Sequence, residues 1–553
     1  KMKKTFFFNP LFVLFIAFTT FLVRLFFVHC LPDSRVVRQA QRQYWSEVPV
    51  STTRGSIVDI YGNPLSMSVP AYSFFIDPAF WDPSNAQALN KHLPSATIKK
   101  FSSPLSGRFH WVARKLNQED ANAIAALRLP GLYRLQEKKR IYPQNNLSSH
   151  VLGFCDIDDR GLSGIEFVWD QALYSPPGIR LFIKDISGRA IDVSTRLSDL
   201  EKIEHKGKVR LTMDMRIQYI VERRLQEAVD QHNAHWGTAI CMNPHTGEIL
   251  ALSSMPTFDP NNRTELLDTK KIFNNAVSRV YEPGSTFKPI VVAIALERKA
   301  TYPSEIIKTP HKIKVADGSI SESGNHSWGK LSLGDIVVKS SNVGMAQIGL
   351  RIRPFNMYNC LKEWGFGQTP GIELNGAEAG LLPSPDQWRG VVPANIAIGQ
   401  GIGVTPLHLL TAINAIVNGG ELLRPYIVAE VTDTKGKTVY KGQRENVRTV
   451  VTPAIAAWLR KIMREAVING TGRSANTAVT SVAGKTGTAQ VAEKGVYAKK
   501  KWVASFVGFW PYDSPQYVML IVIGEPSKGR YYGGDVAGPV FKAIVEDMAL
   551  LNL

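Results

Sequence analysis

Three short motifs in this chain combine residue types that can acylate a serine. Ser285-Thr286-Phe287-Lys288 places an amine three positions after a hydroxyl, Ser340-Ser341-Asn342 adds a second hydroxyl and an amide, and Lys485-Thr486-Gly487-Thr488 adds a cation and two hydroxyls. A serine becomes nucleophilic when a neighbouring base takes its proton, and a lysine in a dry cleft can be that base. Together the motifs suit acylation by a peptide that ends in a free carboxylate.

Each motif alone is weak evidence. Ser327 and Lys330 repeat the Ser-x-x-Lys pattern in a Gly-rich polar loop. Ser285 could equally be a helix cap and Lys288 a surface lysine. The second and third motifs could be a capping turn and a plain strand end. The case for chemistry therefore depends on the order of the motifs and on the elements that carry them.

The first motif lies where a helix should begin. Tyr281-Glu282-Pro283-Gly284 cannot extend a helix, so the sequence predicts a helix over residues 286–296 that Ser285 opens. Ser285 and Lys288 would share one face of it. The helix dipole would favour negative charge developing on the serine.

The other two motifs also fall at the ends of elements. Residues 333–339 have a helical pattern, so Ser340 and Asn342 should lie at a bend between helices and point into one cleft. The apolar residues 479–483 predict an edge strand leading into Lys485. In that strand Gly487 would allow the backbone of a ligand to approach closely.

The surrounding domain is predicted to begin near Val209 and to be of the α+β class. We expect a short strand at 211–213, a helix capped by Asp214 and ending near Gln231, a hairpin of 236–242 and 248–253, and strands at 502–510 and 516–524. Such a pattern favours an antiparallel sheet packed with helices.

The preceding residues form a separate region. A strand near Arg54 should end at the Tyr61-Gly62-Asn63-Pro64 turn, residues 86–130 are predicted to be helical, and 201–208 make a charged linker. The domains expected are thus a linker at 32–48, a first domain at 49–205 and a second at 206–553.

The N-terminal residues predict a membrane anchor. Residues 11–31 are apolar apart from Arg24, and a span of about 20 apolar residues crosses a bilayer. Lysines in residues 1–10 would keep that tail in the cytoplasm. A cleaved signal peptide is the alternative, but no Ala-x-Ala-like site follows. An uncleaved anchor would place the rest of the chain outside the inner membrane.

Composition narrows the choice further. The hydrophobic fraction of 44% and the charged fraction of 20% are typical of a globular protein. The net charge of +18 comes without a nucleic-acid-binding motif, so anionic lipid or polymer is the favoured partner rather than nucleic acid. The four cysteines are far apart and His232 and His235 lack partners at metal-ligand spacing, so we expect buried thiols and no metal site.

In this order the three motifs resemble the SxxK, SxN and KTG set of the penicillin-binding transpeptidases. Further resemblance lies in the segments around Arg54-Gly55, in the NIAIGQGIGVTP segment and at Tyr532-Gly533-Gly534, and it covers nearly the whole chain. It implies a class B member: a non-catalytic pedestal followed by a transpeptidase domain with the serine β-lactamase-like fold. Glu282-Pro283-Gly284-Ser285 and Asn342 are similar to the division-specific FtsI-type enzymes, since elongation-type relatives usually carry aspartate at the latter position.

The resemblance implies a role for each catalytic residue. Ser285 would attack the D-Ala-D-Ala carbonyl and Lys288 would take its proton. Ser340, with Lys485 nearby, would pass a proton to the departing D-Ala, and Asn342 would bind the donor peptide.

The family also implies how the substrate is held. Thr486 and Thr488, flanking Gly487, would bind the terminal carboxylate, and the backbone N–H groups of Ser285 and Thr488 would hold the oxyanion. No metal or organic cofactor is implied.

The implied substrate is the stem peptide of lipid II-derived polymer, β-lactams would imitate it, and a SEDS-family glycosyltransferase and other division proteins would be partners at the inner membrane. The alternatives on the same fold are an elongation-type transpeptidase, a D,D-carboxypeptidase and a β-lactamase. A catalytically silent division scaffold or a β-lactam sensor is the alternative of another class.

Overall fold

The computed structural model describes residues 10–30, 45–50, 53–107, 109–174, 178–184, 190–191, 207–493 and 496–553. Its first element is the helix Pro10–Cys30. Residues 10–29 of this helix are exposed, and among the described residues this is the one helix long and apolar enough to cross a membrane. Residues 1–9 of the predicted tail (1–10) and most of the predicted linker (32–48) lie outside the described residues. The end of that linker belongs to the strand Trp45–Val50.

The chain divides into two compact units, of which the first comprises residues 1–53, 69–139 and 176–204. The long strand Pro64–Ile76 runs into this unit and pairs there with His110–Leu116. A core that includes Phe74, Trp81 and Phe101 holds it together. Its further elements are the strands Leu132–Ile141, Gly178–Lys184 and Ala190–Ile191, the helices Ser95–Phe101 and Gln118–Ala125, and the 3-10 helix Pro83–Leu89.

The prediction of a helical stretch over residues 86–130 is wrong in its middle. His110–Leu116 is a strand that lies between the helices Ser95–Phe101 and Gln118–Ala125. It pairs antiparallel with residues Tyr72 to Ile76, which lie some forty positions earlier in the chain. Ala/Leu periodicity is a local signal, and here the distant pairing partner overrides it.

The second unit comprises residues 54–68, 140–175 and 205–553. Ser56–Val58 lies antiparallel to the start of Pro64–Ile76 and parallel to Lys208–Leu211, so the predicted turn at Tyr61–Pro64 is confirmed. The strand expected at 211–213 is found at Lys208–Leu211, so it begins three positions earlier and ends two positions earlier. The sheet continues through Val428–Thr432 to Thr438–Lys441.

A buried ion-pair network lies beside the sheet that contains Ser56–Val58 and Lys208–Leu211. Glu166 is fully buried and accepts from Nε of Arg54 and Nε of Arg140, each at 2.7 Å, and from the hydroxyl of Ser66 at 2.6 Å. The two arginines lower the pKa of Glu166 to about 2 against the opposing effect of burial. Charges this deep require partners, so the network fixes three separate segments of the chain to one another.

The main sheet of the second unit is antiparallel, as predicted, and has five strands. Its strands, in spatial order, are Ile249–Met255, Trp236–Met242, Tyr517–Gly524, Val496–Trp510 and Ala483–Glu493. The hairpin predicted at 236–253 and both C-terminal strands are confirmed.

Helices cover both faces of this sheet. Along Tyr517–Gly524, Met519 and Ile521 pack with the helices Met215–Gln231 and Gly533–Leu550, whereas Leu520 and Val522 pack with the cluster around Lys288–Glu297 and Pro406–Val417. A strand buried on both faces must be apolar throughout, which explains the continuous run of Tyr517–Gly524. Asp214 caps the first helix by accepting from Arg216 N, as predicted.

Shorter elements complete this unit. Near the second motif, the strand Ile306–Thr309 pairs with Gly329–Ser332, and Lys312–Val315 forms a hairpin with Gly318–Ser321 between them in the chain. The remaining elements are the helices Ser149–Leu152, Gly164–Val168, Asp170–Leu173, Thr269–Ile272, Asn275–Ser278, Leu333–Val338, Asn342–Gly349, Pro354–Glu363, Val392–Ala397 and Pro453–Ile468, and the strands Glu421–Leu423 and Asn446–Thr449.

Candidate active site

Ser285 lies on a tight turn that leads into a buried helix. Gly284–Phe287 is a 3-10 turn, and the α-helix begins at Lys288 rather than at the predicted Thr286. Pro289 explains the difference, because it lacks the N–H that would bond the carbonyl of Ser285 in an α-helix. Lys288 N–H donates to that carbonyl instead, which tightens the turn. Ser285 therefore lies three residues before the first residue of the α-helix, and its side chain is partly exposed.

The Ser285 turn packs directly against the edge strand Ala483–Glu493. A Cβ on Gly487 would lie 2.9 Å from Thr286 Cγ2 and 3.0 Å from the carbonyl of Pro283. Gly487 therefore makes room for the chain's own serine turn, and the close approach of a ligand backbone stays a prediction. The apolar lead at 479–483 is also not a strand, since the strand begins at Ala483 and Val479 is exposed.

Lys288 connects the first motif to the second. Its Nζ donates to the carbonyl of Ser340 at 2.7 Å and to Oδ1 of Asn342 at 2.8 Å, and it lies 3.2 Å from Ser340 Oγ. Burial, with repulsion from Lys485, lowers the pKa of Lys288 well below its usual range, although Glu322 opposes the shift. A neutral amine has two hydrogens and one lone pair. Two carbonyl-type acceptors thus occupy the hydrogens and leave the lone pair for a hydroxyl.

Ser340 lies at a bend between the helices Leu333–Val338 and Asn342–Gly349, as predicted. Its φ of 60° is in the left-handed region, which turns the chain between the two helices. Ser341 caps the second helix by accepting from Gly344 N at 2.9 Å. Asn342 also donates from Nδ2 to the carbonyl of Ser321 at 3.2 Å, so its amide orientation is fixed.

Glu322 holds this bend from below and was not identified in the sequence. Its carboxylate accepts from Asn342 N at 2.8 Å, from Val343 N at 3.3 Å and from the Ser341 hydroxyl. A carboxylate at these N–H groups satisfies the start of the helix. The contact joins residues 19 to 21 positions apart in the chain, and no local pattern marks it.

Lys485 reaches the same serine from the edge strand. Its Nζ lies 3.1 Å from Ser340 Oγ and donates to the carbonyl of Thr486 at 3.0 Å. The side chain is fully buried, and burial lowers the pKa of Lys485 to about 7. Thr471, also missed in the sequence, shares a hydrogen bond of 2.6 Å with the Thr486 hydroxyl and lies 3.5 Å from Lys485 Nζ.

An open cleft of about 990 Å³ brings these groups together. Ser285, Ser340, Asn342, Thr486 and Thr488 line it. Lys288 and Lys485 contact this lining through the Ser340 hydroxyl, and Gly487 lies between the two lining threonines on the edge strand. The Thr488 hydroxyl accepts from Gly533 N at 3.0 Å, which ties the edge strand to the start of the C-terminal helix.

The repeated patterns elsewhere do not form a comparable site. Lys330 lies on the strand Gly329–Ser332 and not one helical turn from Ser327. Ser474 and Asn476 repeat the Ser-x-Asn spacing of the second motif, but the Ser474 hydroxyl donates to the carbonyl of Gly534. Only the trio recognised by order brings a serine, two buried amines and a second hydroxyl into one cleft within the described residues.

Two domain families match this chain. Residues 237–546 match the penicillin binding protein transpeptidase domain, and residues 49–203 match the penicillin-binding protein dimerisation domain.

Curated relatives extend over most of the chain. The peptidoglycan D,D-transpeptidase FtsI of Escherichia coli K12 is 32% identical over 96% of this chain and 89% of its own length. Stage V sporulation protein D of Bacillus subtilis is also 32% identical, over 97% of this chain and 84% of its own length.

Solved structures show the same architecture. Penicillin binding protein 3 from Mycobacterium tuberculosis, complexed with aztreonam, superposes with a TM-score of 0.69 at 26% identity, covering 92% of this chain and 98% of that one. A peptidoglycan synthetase from Bifidobacterium adolescentis gives a TM-score of 0.71 at 23% identity, over 92% and 97% of the two chains, which supports the fold alone. The resemblance inferred from the motifs is thus confirmed: this chain belongs to the penicillin-binding proteins, with a dimerisation domain and a transpeptidase domain.

Proposed function

We propose that this protein is a peptidoglycan D,D-transpeptidase that cross-links stem peptides through an acyl-Ser285 intermediate. Its relatives include D,D-transpeptidases. In its transpeptidase domain two buried lysines, Lys288 and Lys485, both contact the Ser340 hydroxyl. That convergence of Lys288 and Lys485 on Ser340, beside Ser285, is the observation that carries the proposal. β-Lactams would acylate the same serine.

The acylation half reaction follows from the neutral Lys288. Ser285 Oγ attacks the carbonyl of the penultimate D-Ala while Lys288 takes its proton, and backbone N–H groups of Ser285 and Thr488 receive the negative charge on the oxygen. The C–N bond then breaks. Ser340, with Lys485 beside it, delivers a proton to the departing nitrogen, and D-Ala leaves.

Substrate contacts come from the edge strand and the second motif. Thr486 and Thr488 present hydroxyls to the cleft for the terminal carboxylate, with the charge of Lys485 behind them. Asn342 would bind an amide of the donor peptide. In the second half reaction the amine of another stem peptide attacks the ester carbon and loses a proton, and the bond to Ser285 Oγ breaks with return of a proton to that oxygen.

The direct test is intact-mass analysis after incubation with penicillin, on the wild type and on Ser285→Ala. We expect one adduct of the mass of penicillin that persists for many minutes in the wild type and is absent from the variant. An adduct that is lost rapidly would indicate a β-lactamase. No adduct on folded protein would overturn the catalytic reading and favour a scaffold.

The cellular assignment is part of the same proposal. Residues 11–31 would anchor the protein in the bacterial inner membrane with residues 1–10 in the cytoplasm, and the pedestal (49–205) and transpeptidase domain (206–553) would lie outside. We assign it to septal synthesis with a SEDS-family glycosyltransferase and other division proteins. A sporulation protein is as similar to this chain as FtsI is, so the septal role needs its own test. The test is to replace the gene by one that encodes the Ser285→Ala variant. Septal cross-linking should then stop, whereas a protein that acts only as a scaffold would tolerate the change.

A further inference from the structure

One wall of the cleft carries positive charge that the acylation chemistry does not use. His326, Trp328 and Lys339 line it, and we call these three residues the Trp328 wall. The His326 ring stacks on the Trp328 ring with centroids 4.6 Å apart, and Lys339 Nζ lies 4.9 Å from the centre of the same ring. His326 and Lys339 are exposed, so the tryptophan holds two nitrogen-bearing side chains at the mouth of the cleft.

A pair of lysines extends this charge onto the neighbouring hairpin. Lys308 and Lys330 are direct cross-strand partners of the strands Ile306–Thr309 and Gly329–Ser332, and both are exposed. Like charges placed opposite each other destabilise a strand pair. The fold therefore retains an unfavourable arrangement beside the wall, as a site for anions would require.

The acidic residues of this region are already engaged. Residues 306–339 contain five lysines and only three carboxylates, which belong to Asp317, Glu322 and Asp335. Each of the three accepts a backbone N–H. A carboxylate keeps its charge when it accepts an N–H, so the net charge of the region is that of five lysines against three carboxylates and is positive.

The position of the wall selects one substrate of the reaction. The incoming amine must occupy the place that the departing amine vacates, because both are served by the Ser340 hydroxyl. Lys339 is the residue directly before Ser340. Lys339 therefore lies beside the hydroxyl that serves the new amine, in the same cleft, and can meet a carboxylate on the strand that brings this amine.

We propose that the Trp328 wall, continued by Lys308 and Lys330, is the binding surface for the acceptor: an uncross-linked glycan strand whose stem peptides carry free carboxylates. The inference rests on the proposed transpeptidase function. Lys339 and His326, held by Trp328, bind a carboxylate of the stem peptide that supplies the amine, and the lysine pair binds carboxylates farther along the strand.

Binding to the penicillin-acylated enzyme tests this without turnover, because the tethered penicillin fills the place of the donor and of its departing amine and leaves the Trp328 wall uncovered. The probe is soluble uncross-linked glycan strands with unamidated stem peptides, added to full-length detergent-solubilised protein. We expect the triple variant Lys308→Gln/Lys330→Gln/Lys339→Gln to bind about tenfold more weakly than the wild type, with a smaller dependence on salt. Trp328→Leu should also weaken binding, because it releases Lys339.

A matched control is the triple variant Lys435→Gln/Lys437→Gln/Lys441→Gln, which removes three exposed lysines from a different hairpin and should bind like the wild type. Strands with amidated carboxyl groups should bind the wild type as weakly as the first triple variant binds unamidated strands. Wild-type protein that does not bind the strands, or two triple variants with equal affinity, would overturn the inference. A wild type that forms no penicillin adduct would instead overturn the proposed function, so the two failures are distinguishable.

Discussion

Lys288 and Lys485 are held against the same hydroxyl, with their Nζ atoms 3.2 and 3.1 Å from Ser340 Oγ. Both side chains are fully buried. Burial lowers the pKa of Lys485 to about 7, and burial together with repulsion from Lys485 lowers the pKa of Lys288 well below its usual range. The pair therefore combines an amine that is favoured to lose its proton and so to act as a base with an amine that is partly protonated near neutral pH and can donate a proton.

The first prediction is an alkaline fall in acylation. Above pH about 7, Lys485 loses its proton, and with it the charge that attracts the carboxylate of penicillin. The second-order rate constant of acylation, which reports the free enzyme, should fall as the pH rises from about 7 to about 9. Lys485→Arg keeps its charge over this range, so its rate should be lower but should lack the fall. A wild-type rate that stays level to pH about 9 would contradict the assignment.

The second prediction concerns Glu322 as a positioning residue. Glu322→Gln removes the negative charge that raises the pKa of Lys288, so that pKa should fall and the acidic limb of the acylation profile should move to lower pH. Loss of a charged acceptor at the helix start should also lower the unfolding free energy by about 2 kcal/mol. Glu378→Gln, at an exposed carboxylate, should alter neither quantity. An unchanged acidic limb in Glu322→Gln would show that the residue is merely structural.

The third prediction concerns the contact between Gly487 and the serine turn. Gly487→Ala would press a methyl group against Ser505 Oγ, Thr286 Cγ2 and the Pro283 carbonyl, and so push the edge strand away from Ser285. Acylation by penicillin should slow by about a hundredfold, because small displacements of reacting groups reduce rates strongly. Adding Ser505→Ala removes the nearest clashing atom and should recover part of the rate. If Gly487→Ala acylates like the wild type, the packing argument is incorrect.

The fourth prediction separates stability from chemistry. Glu166→Gln removes the carboxylate that the buried Arg54 and Arg140 share, leaving Arg54 with only Asp170, and should lower the unfolding free energy by about 3 kcal/mol. The folded-state pKa of Glu166, about 2, lies below its unfolded value, so its contribution is complete above pH about 4.5 and is lost as the pH falls through 2. Wild type and variant should therefore converge in stability in acid. The penicillin adduct per folded molecule should remain unchanged; a loss of adduct would place this network in the chemistry.

The sequence predicted the parts of the site that depend on local order. The Ser340 bend, the Asp214 cap and the hairpin at Trp236–Met242 and Ile249–Met255 follow from short-range patterns, and the structure confirms them. Alternate residues of Tyr517–Gly524 pack on opposite faces of the sheet. The sequence does not reveal this alternation, because both faces are buried and every position is therefore apolar.

What the sequence did not predict depends on contacts across the fold. Glu322 and Thr471 lie in loops and belong to no recognisable motif. Their place in the site depends on hydrogen bonds to Ser341 and Thr486, which form only when the chain folds. The strand His110–Leu116 was taken for helix because its partner lies in a distant segment. The packing of Gly487 was not predicted for the same reason, since the atoms that a Cβ there would meet belong to Ser505 and to the Ser285 turn.

The order of strands in the main sheet has a consequence for how the protein is made. The central strand Tyr517–Gly524 bonds to Trp236–Met242, which is synthesised some 280 residues earlier. The sheet cannot close until almost the whole chain has left the ribosome and, if exported, crossed the membrane. Until then two apolar strand edges stay open to aggregation, so maturation of this enzyme should depend on holding factors and be highly sensitive to C-terminal truncation.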